Sequence, residues 1–162
     1  MTITEEKIWN ILETICDPEI PVLNIVEMGI VRKISIDDTV CRIIVTPTYS
    51  GCPAMKTIED QIIEELLLNG IDSVEVKKTY SPAWTTDWLS DETKIKLREY
   101  GIAPPEGTSE EDFFDSILTK NITCPYCKST NTKLTSEFGS TSCKSLHYCE
   151  NCLQPFEHLK CI

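Results

Sequence analysis

Apolar residues at Ile8, Ile11, Leu12 and Ile15 recur at helical spacing and predict a helix over 5–15. Thr4 supplies a cap, and Glu5 and Glu6 suit the positive first turn. Asp17-Pro18-Glu19-Ile20-Pro21 ends that helix, because each proline biases the residue before it toward extended backbone. Residues 26–36 then read as a strand interrupted at Gly29, Asp37-Asp38 as a turn, and residues 40–46 as a second strand, so the pair predicts a hairpin. A loop over 47–53 leads into a long helix over 54–68, with Ile58, Ile62 and Leu66 on one face and Asn69-Gly70 as its stop. In residues 73–80, Val74, Val76 and Tyr80 fall on one side and Glu75, Lys77 and Thr79 on the other, which predicts a strand with one wet face. A short helix over 90–100, capped by Ser90 and ended by Gly101, completes the series.

The order helix, strand, strand, helix, strand, helix predicts an α+β fold: a two-layer α/β domain, a three-stranded sheet with helices on one face. Pro104-Pro105-Glu106-Gly107 is the expected boundary, giving a domain over 1–107, an acidic linker helix over 108–119 and a small module over 120–162.

That module carries the most specific pattern in the chain. Cys124-Pro-Tyr-Cys127 and Cys149-Glu-Asn-Cys152 are two Cys-x-x-Cys turns separated by 21 residues. Each turn converges two sulfurs on one ion, and the spacer lets the turns face each other. The residues predict a closed structural zinc site in a zinc ribbon, with an iron–sulfur cluster as the alternative occupant of four thiolates. So small a module lacks the core to fold alone, and metal binding contributes on the order of 10 kcal/mol in comparable peptides.

Charge changes the picture. Residues 1–119 hold 10 Lys/Arg against 23 Asp/Glu, while residues 120–162 hold 5 against 3. An acidic body suits solubility or a basic protein partner and opposes binding to a phosphate backbone, so nucleic acid is not an expected partner. No apolar run reaches the length of a membrane span, and the N-terminus has no secretory signal, so a cytoplasmic, membrane-free protein is expected. Nine cysteines in a reducing compartment favour metal or redox chemistry over disulfides.

Cys52 is the most suggestive single residue outside the ribbon. Pro53 fits the first position of the following helix, which places Cys52 at the cap and Gly51 beside it. The expectation is a thiol whose pKa is lowered by the helix terminus, able to bind metal or form a persulfide or mixed disulfide; a buried, inert cap cysteine is the alternative. Asp17, Glu19 and Glu27 surround a proline-stiffened loop; they read as solvated turn residues, or Asp17 and Glu19 as auxiliary ligands near Cys52. Cys143 and Cys161 read as ordinary thiols or as ligands of a transiently held metal, with His147 and His158 as possible nitrogen donors. Cys16 and Cys41 occupy apolar-patterned positions and are expected in the core. Trp84 and Trp88 either cap the core or anchor a docking surface. Both histidines belong to the ribbon, which weakens a cysteine-hydrolase reading of Cys52.

Asp17-Pro18-Glu19-Ile20-Pro21, Gly29-Ile30-Val31, Thr46-Pro47-Thr48, Gly51-Cys52-Pro53 and Trp84-Thr85-Thr86-Asp87-Trp88 together resemble the SufT-like family of small iron–sulfur assembly factors, over about residues 5–102. The tail, with Phe138-Gly139-Ser140-Thr141-Ser142-Cys143-Lys144, Pro155-Phe156 and Lys160-Cys161-Ile162, resembles the PaaD family of phenylacetate-degradation proteins. The resemblance implies a non-catalytic accessory role: assembly or delivery of an iron–sulfur cluster for the multicomponent phenylacetyl-CoA epoxidase, with its iron–sulfur flavin reductase as client. It implies Cys52 as the cluster-transfer residue, structural zinc in the ribbon, and a transient iron–sulfur cluster or iron as cargo. A second copy of the chain, as a homodimer, is a further candidate partner. A structural subunit of the oxygenase complex and a Cys52-based redox protein are the alternatives.

Overall fold

A computed structural model describes residues 4–37, 40–107 and 121–160. Its contacts divide the chain into two units, Met1–Trp84 and Thr85–Ile162.

The first unit is the two-layer domain. Helix α1 spans Glu5–Leu12, with Thr4 Oγ1 accepting the Lys7 amide. It stops short of residue 15, because the amides of Thr14 and Ile15 bond back only three residues, to Ile11 and Leu12. The apolar stripe survives that tightening, and Ile8, Ile11, Leu12 and Ile15 are all buried.

The strand expected from residue 26 begins instead at Val31. Asn24 Oδ1 accepts the amides of Val26 and Glu27, while Glu27 Oε2 accepts the Asn24 amide. Such local side-chain bonds offer the backbone an alternative to a ladder. Gly29 then takes a left-handed conformation, φ 69°. Ile20, Leu23, Ile25, Met28 and Ile30 are buried from this turn-rich segment, so their hydrophobicity reflects core, not strand.

Strand β1 (Val31–Asp37) pairs antiparallel with β2 (Val40–Val45), from Val31 opposite Val45 to Asp37 opposite Val40. Of the predicted Asp37-Asp38 turn, Asp38 lies outside the described residues. Helix α2 (Ala54–Leu68) matches its expected bounds and crosses over to β3 (Ser73–Lys78), which pairs parallel with β2. The sheet order is β1-β2-β3. Cys41, Ile43 and Val45 on one face of β2, with Ile58, Ile62 and Leu66 of α2, supply the core between the layers. On the other face Arg42 bridges Glu75 at 2.7 Å and Asp37 at 3.0 Å. Because β3 is an edge strand, Val74 and Val76 are only half-buried. Trp84 closes this unit as a core residue, its indole N–H donating to the Met28 carbonyl at 2.7 Å.

The second unit opens with a 3₁₀ turn over Thr86–Trp88, where Trp88 is half-buried. Helix α3 (Asp91–Tyr100) follows, capped by Ser90, whose side chain accepts the Thr93 amide, and ended by Gly101 at φ 95°. Strand β4 (Ile102–Ala103) then joins a four-stranded sheet with β5 (Thr132–Ser136), β6 (Lys144–Cys149) and β7 (Pro155–Leu159), in the order β4-β7-β6-β5.

Residues 85–103 group with the ribbon because β4 pairs with β7, and Pro104 and Pro105, at the expected boundary, are buried. The linker helix expected over 108–119 lies outside the described residues.

Candidate functional sites

The four ribbon cysteines meet as the spacing requires. Their sulfurs all lie within 4.8 Å of one another, with Cys124 and Cys152 3.7 Å apart and Cys127 and Cys149 3.5 Å apart. A zinc–sulfur bond of about 2.3 Å gives a tetrahedron with edges near 3.8 Å, so the donor set fits that ion with little adjustment.

Two nearly identical turns create this geometry. The Lys128 amide bonds the Cys124 carbonyl at 3.0 Å, and the Leu153 amide bonds the Cys149 carbonyl at 2.9 Å. The Cys124 amide bonds Ser129 O and the Cys149 amide bonds Gln154 O, closing each knuckle from the other side. Both knuckles place a non-glycine residue in the left-handed region, Lys128 at φ 62° and Leu153 at φ 61°. Local sequence does not announce these conformations, since glycine, the usual marker, is absent from both positions.

Without a metal the thiols are poorly matched to their surroundings. The Asn151 amide, 3.5 Å from the sulfur, and the Ser129 backbone N–H lower the Cys127 pKa to about 6. Burial and the neighbouring sulfurs push Cys152 up to about 12, and burial raises Cys124. The Cys127 thiolate forms readily, whereas Cys124 and Cys152 need a cation to offset the cost of ionising. Zinc, when bound, would be held by Cys124, Cys127, Cys149 and Cys152 as a closed scaffold site.

Among the described residues no other group of three or more His, Cys, Asp or Glu gathers its ligand atoms so closely. Cys143 is buried with its sulfur 3.1 Å from Thr141 Oγ1. His147 and His158 are buried on either side of Ser145 Oγ, at 2.9 and 3.4 Å, and His147 stacks on Phe156. Both rings take part in the packing of the sheet. Cys161 lies outside the described residues.

The second site belongs to the first unit. Cys52 is half-buried, its amide bonding Tyr49 O at 3.3 Å and its carbonyl accepting the Met55 amide at 3.3 Å. Pro53, not Cys52, occupies the cap of α2, with helical dihedrals and no side-chain cap bond. Gly51 stands at φ 81°, and a Cβ built there would meet nothing within 4 Å, so the approach is open.

The expectation of a lowered Cys52 pKa does not hold. Burial raises it and the Glu19 carboxylate adds to the rise, outweighing hydrogen bonds from the Ala54 amide and the Thr48 and Tyr49 side chains. Desolvation here exceeds the helix-terminus effect, which fades beyond the first turn. Cys52 therefore stands as a neutral thiol at pH 7.

Glu19 influences Cys52, whereas Asp17 builds the loop: its Oδ1 accepts the amides of Glu19 at 2.7 Å and Ile20 at 2.9 Å from a buried position. Glu27 serves the turn at Asn24. Thr48 and Tyr49, whose side chains bond the thiol, were not among the expected site residues; Thr48 was visible only within the Thr46-Pro47-Thr48 string, and Tyr49 only by its place in the loop leading to Cys52. Cys41 is buried as expected, and Cys16 is exposed, because the chain leaves the helix before residue 16 and that residue pairs with Asn24 in an isolated bridge.

An α+β domain with the Cys52 thiol half-exposed beside an open loop, in a chain that also carries a four-thiolate ribbon, fits a class: iron–sulfur assembly domains fused to a zinc ribbon. The profile described as iron–sulfur cluster assembly protein matches residues 5–77, and the profile described as PaaD zinc beta ribbon domain matches residues 109–160. The chain belongs to the PaaD family. It is 46% identical, over 96% of its length and 92% of the relative's, to a protein of Escherichia coli (strain K12) named as a subunit of a "Putative 1,2-phenylacetyl-CoA epoxidase". It is 39% identical to the Fe-S protein maturation auxiliary factor SufT of Staphylococcus aureus (strain USA300), over 51% of this chain and 96% of that one. A crystal structure of a domain of unknown function, DUF59, from Bacillus anthracis superposes with a TM-score of 0.54 at 30% identity, covering 57% of this chain and 90% of that one. Among the described residues no helix is long and apolar enough to cross a membrane.

Proposed function

We propose that this protein is a non-catalytic accessory factor that assembles or delivers an iron–sulfur cluster, with Cys52 as the thiol that engages the cargo. The client we assign is a component of a multicomponent phenylacetyl-CoA epoxidase, its iron–sulfur flavin reductase. The observation that carries the reading is the half-exposed Cys52 thiol beside open space at Gly51, within the electrostatic reach of Glu19.

The electrostatics favour a cationic cargo. A thiol held neutral by burial and a nearby carboxylate is a slow nucleophile at pH 7. An arriving iron centre supplies the positive charge that lets the proton leave, so ionisation is coupled to loading. A stand-alone thiol–disulfide enzyme needs the opposite, a thiolate already formed, and this weighs against the redox reading. The ribbon, as a closed site, keeps its own ion and serves as scaffold or client contact.

The test is reconstitution of the apo-reductase with iron and sulfide, with and without this protein. Faster and fuller cluster incorporation, lost in Cys52→Ser, supports the reading. Equal occupancy across a range of protein levels removes it. The name of the Escherichia coli relative favours a second reading, a structural subunit of the oxygenase complex. That reading expects stoichiometric co-purification with the oxygenase subunits and indifference to Cys52→Ser.

A further inference from the structure

Helix α3 and strand β4 precede the ribbon, whose family profile begins only at residue 109. Three contacts nevertheless tie them to the cysteine knuckles. Ile102 and Ala103 pair with Glu157 and His158 of β7, at the edge of the ribbon sheet. Ala103, fully buried, shares one apolar cluster with Cys124, Cys149, Ile122 and Phe156, against which Cys127 and Cys152 also pack. Gly101 lies under Tyr126, inside the first Cys-x-x-Cys turn: a Cβ there would sit 2.8 Å from the Tyr126 hydroxyl.

On its own α3 is weak. It has ten residues, Asp-Glu-Thr-Lys-Ile-Lys-Leu-Arg-Glu-Tyr, of which Leu97 is fully buried while Ile95 and Tyr100 are exposed. Helices shorter than about 12 residues are marginal in water, and their order comes from packing. Its C-terminal stop is the left-handed Gly101, held where the chain passes beneath Tyr126. Strand β4 has two residues and, among the described residues, no neighbour in its sheet except β7.

We infer that the metal-dependent folding unit of this protein extends back through β4 into α3, so that loading of the four-cysteine site sets the order of residues 91–103. The four sulfurs fit zinc, and a ribbon with so small a core has little to hold β6 and β7 once the ion is gone. Losing β7 removes the sheet partner of β4, and losing the first knuckle removes Tyr126 from the α3 terminus. This inference does not rest on the iron–sulfur reading, because it concerns the ribbon's own ion and its neighbours.

Amide hydrogen exchange on the full chain tests it, comparing zinc-loaded protein with protein stripped by excess EDTA under reducing conditions. The amides of Ile102, Ala103 and the last turn of α3 should lose protection by at least about tenfold, together with β6 and β7. Those of α2 should keep theirs. Unchanged protection of residues 95–103 while β6 and β7 exchange freely overturns the inference. So does equal loss throughout α2, which would make the ion a requirement for the whole chain. A reciprocal measurement uses Gly101→Val, which drives a side chain into Tyr126. Coupling is symmetric between linked equilibria, so zinc affinity, read by competition with a chromogenic chelator, should fall by about fivefold or more. An affinity equal to that of the natural chain overturns the inference independently.

Discussion

Leu153→Gly should strengthen the ribbon, against the usual direction of a leucine-to-glycine change. Leu153 sits at φ 61°, where a side chain costs roughly 1–2 kcal/mol relative to glycine. Its amide closes the second knuckle on the Cys149 carbonyl at 2.9 Å, so the backbone cannot relax without opening the metal site. The side chain recovers little, being 64% exposed. Against this gain stands the greater freedom of glycine in the unfolded chain, about 0.5–1 kcal/mol. The net expectation is a stabilisation of about 0.5–1 kcal/mol, or a two- to fivefold rise in zinc affinity where folding and binding are one event. Competition with a chelator of known affinity measures it directly, and thermal unfolding of the zinc-loaded protein gives a second reading. Leu153→Ala is the control: it removes the same apolar surface and keeps the strained conformation, so it should be near neutral. If glycine bound zinc no tighter than alanine, the strain argument for this knuckle would fail.

Gly139→Ala should destabilise the second unit by about 1–3 kcal/mol, because its Cβ would lie 2.5 Å from Glu157 Oε1 and disturb the carboxylate that pairs with the buried Lys144; urea unfolding gives the value. Asp17→Ala removes two amide bonds to a carboxylate and should cost about 2 kcal/mol, with faster exchange at the Glu19 and Ile20 amides. Alkylation of Cys52 should be slower at pH 7 than that of an unburied thiol, and its rise with pH should level off only above 9.0, the unshifted thiol value, since thiolate is the reactive form and burial opposes it. Glu19→Gln should move that rise to lower pH, because the carboxylate adds to the upward shift; mass spectrometry of the Cys52 peptide follows both profiles, and coincident curves would remove Glu19 from the thiol's surroundings.

Periodicity and spacing alone located α2 and α3, the caps of α3, the β1–β2 pair and the four cysteines that gather in the ribbon. These are features in which residues close in sequence, or two repeated tetrapeptides, carry the whole physical cause. The apolar stripe of α1 was legible although its last turn was not, since burial follows the stripe while the helix end follows two backbone bonds. Residues 26–30 misled because a buried, turn-rich segment has the composition of a strand. Only the Asn24 and Glu27 side chains, by bonding nearby amides, decide against a ladder.

Tertiary structure decided what depends on neighbours distant in the chain. The Cys52 pKa went up because desolvation and Glu19, 33 positions away, outweigh the helix end that the sequence displays. Residues 85–103 group with the ribbon because two residues after Gly101 pair with the edge of a strand far along the chain, a pairing that local pattern cannot announce. Sequence by itself thus named the four cysteines that gather in the ribbon and the thiol of the loop before α2. Folding set the charge state of the Cys52 thiol and drew 85–103 into the ribbon's unit, because solvation and strand pairing are properties of what surrounds a residue, not of the residue alone.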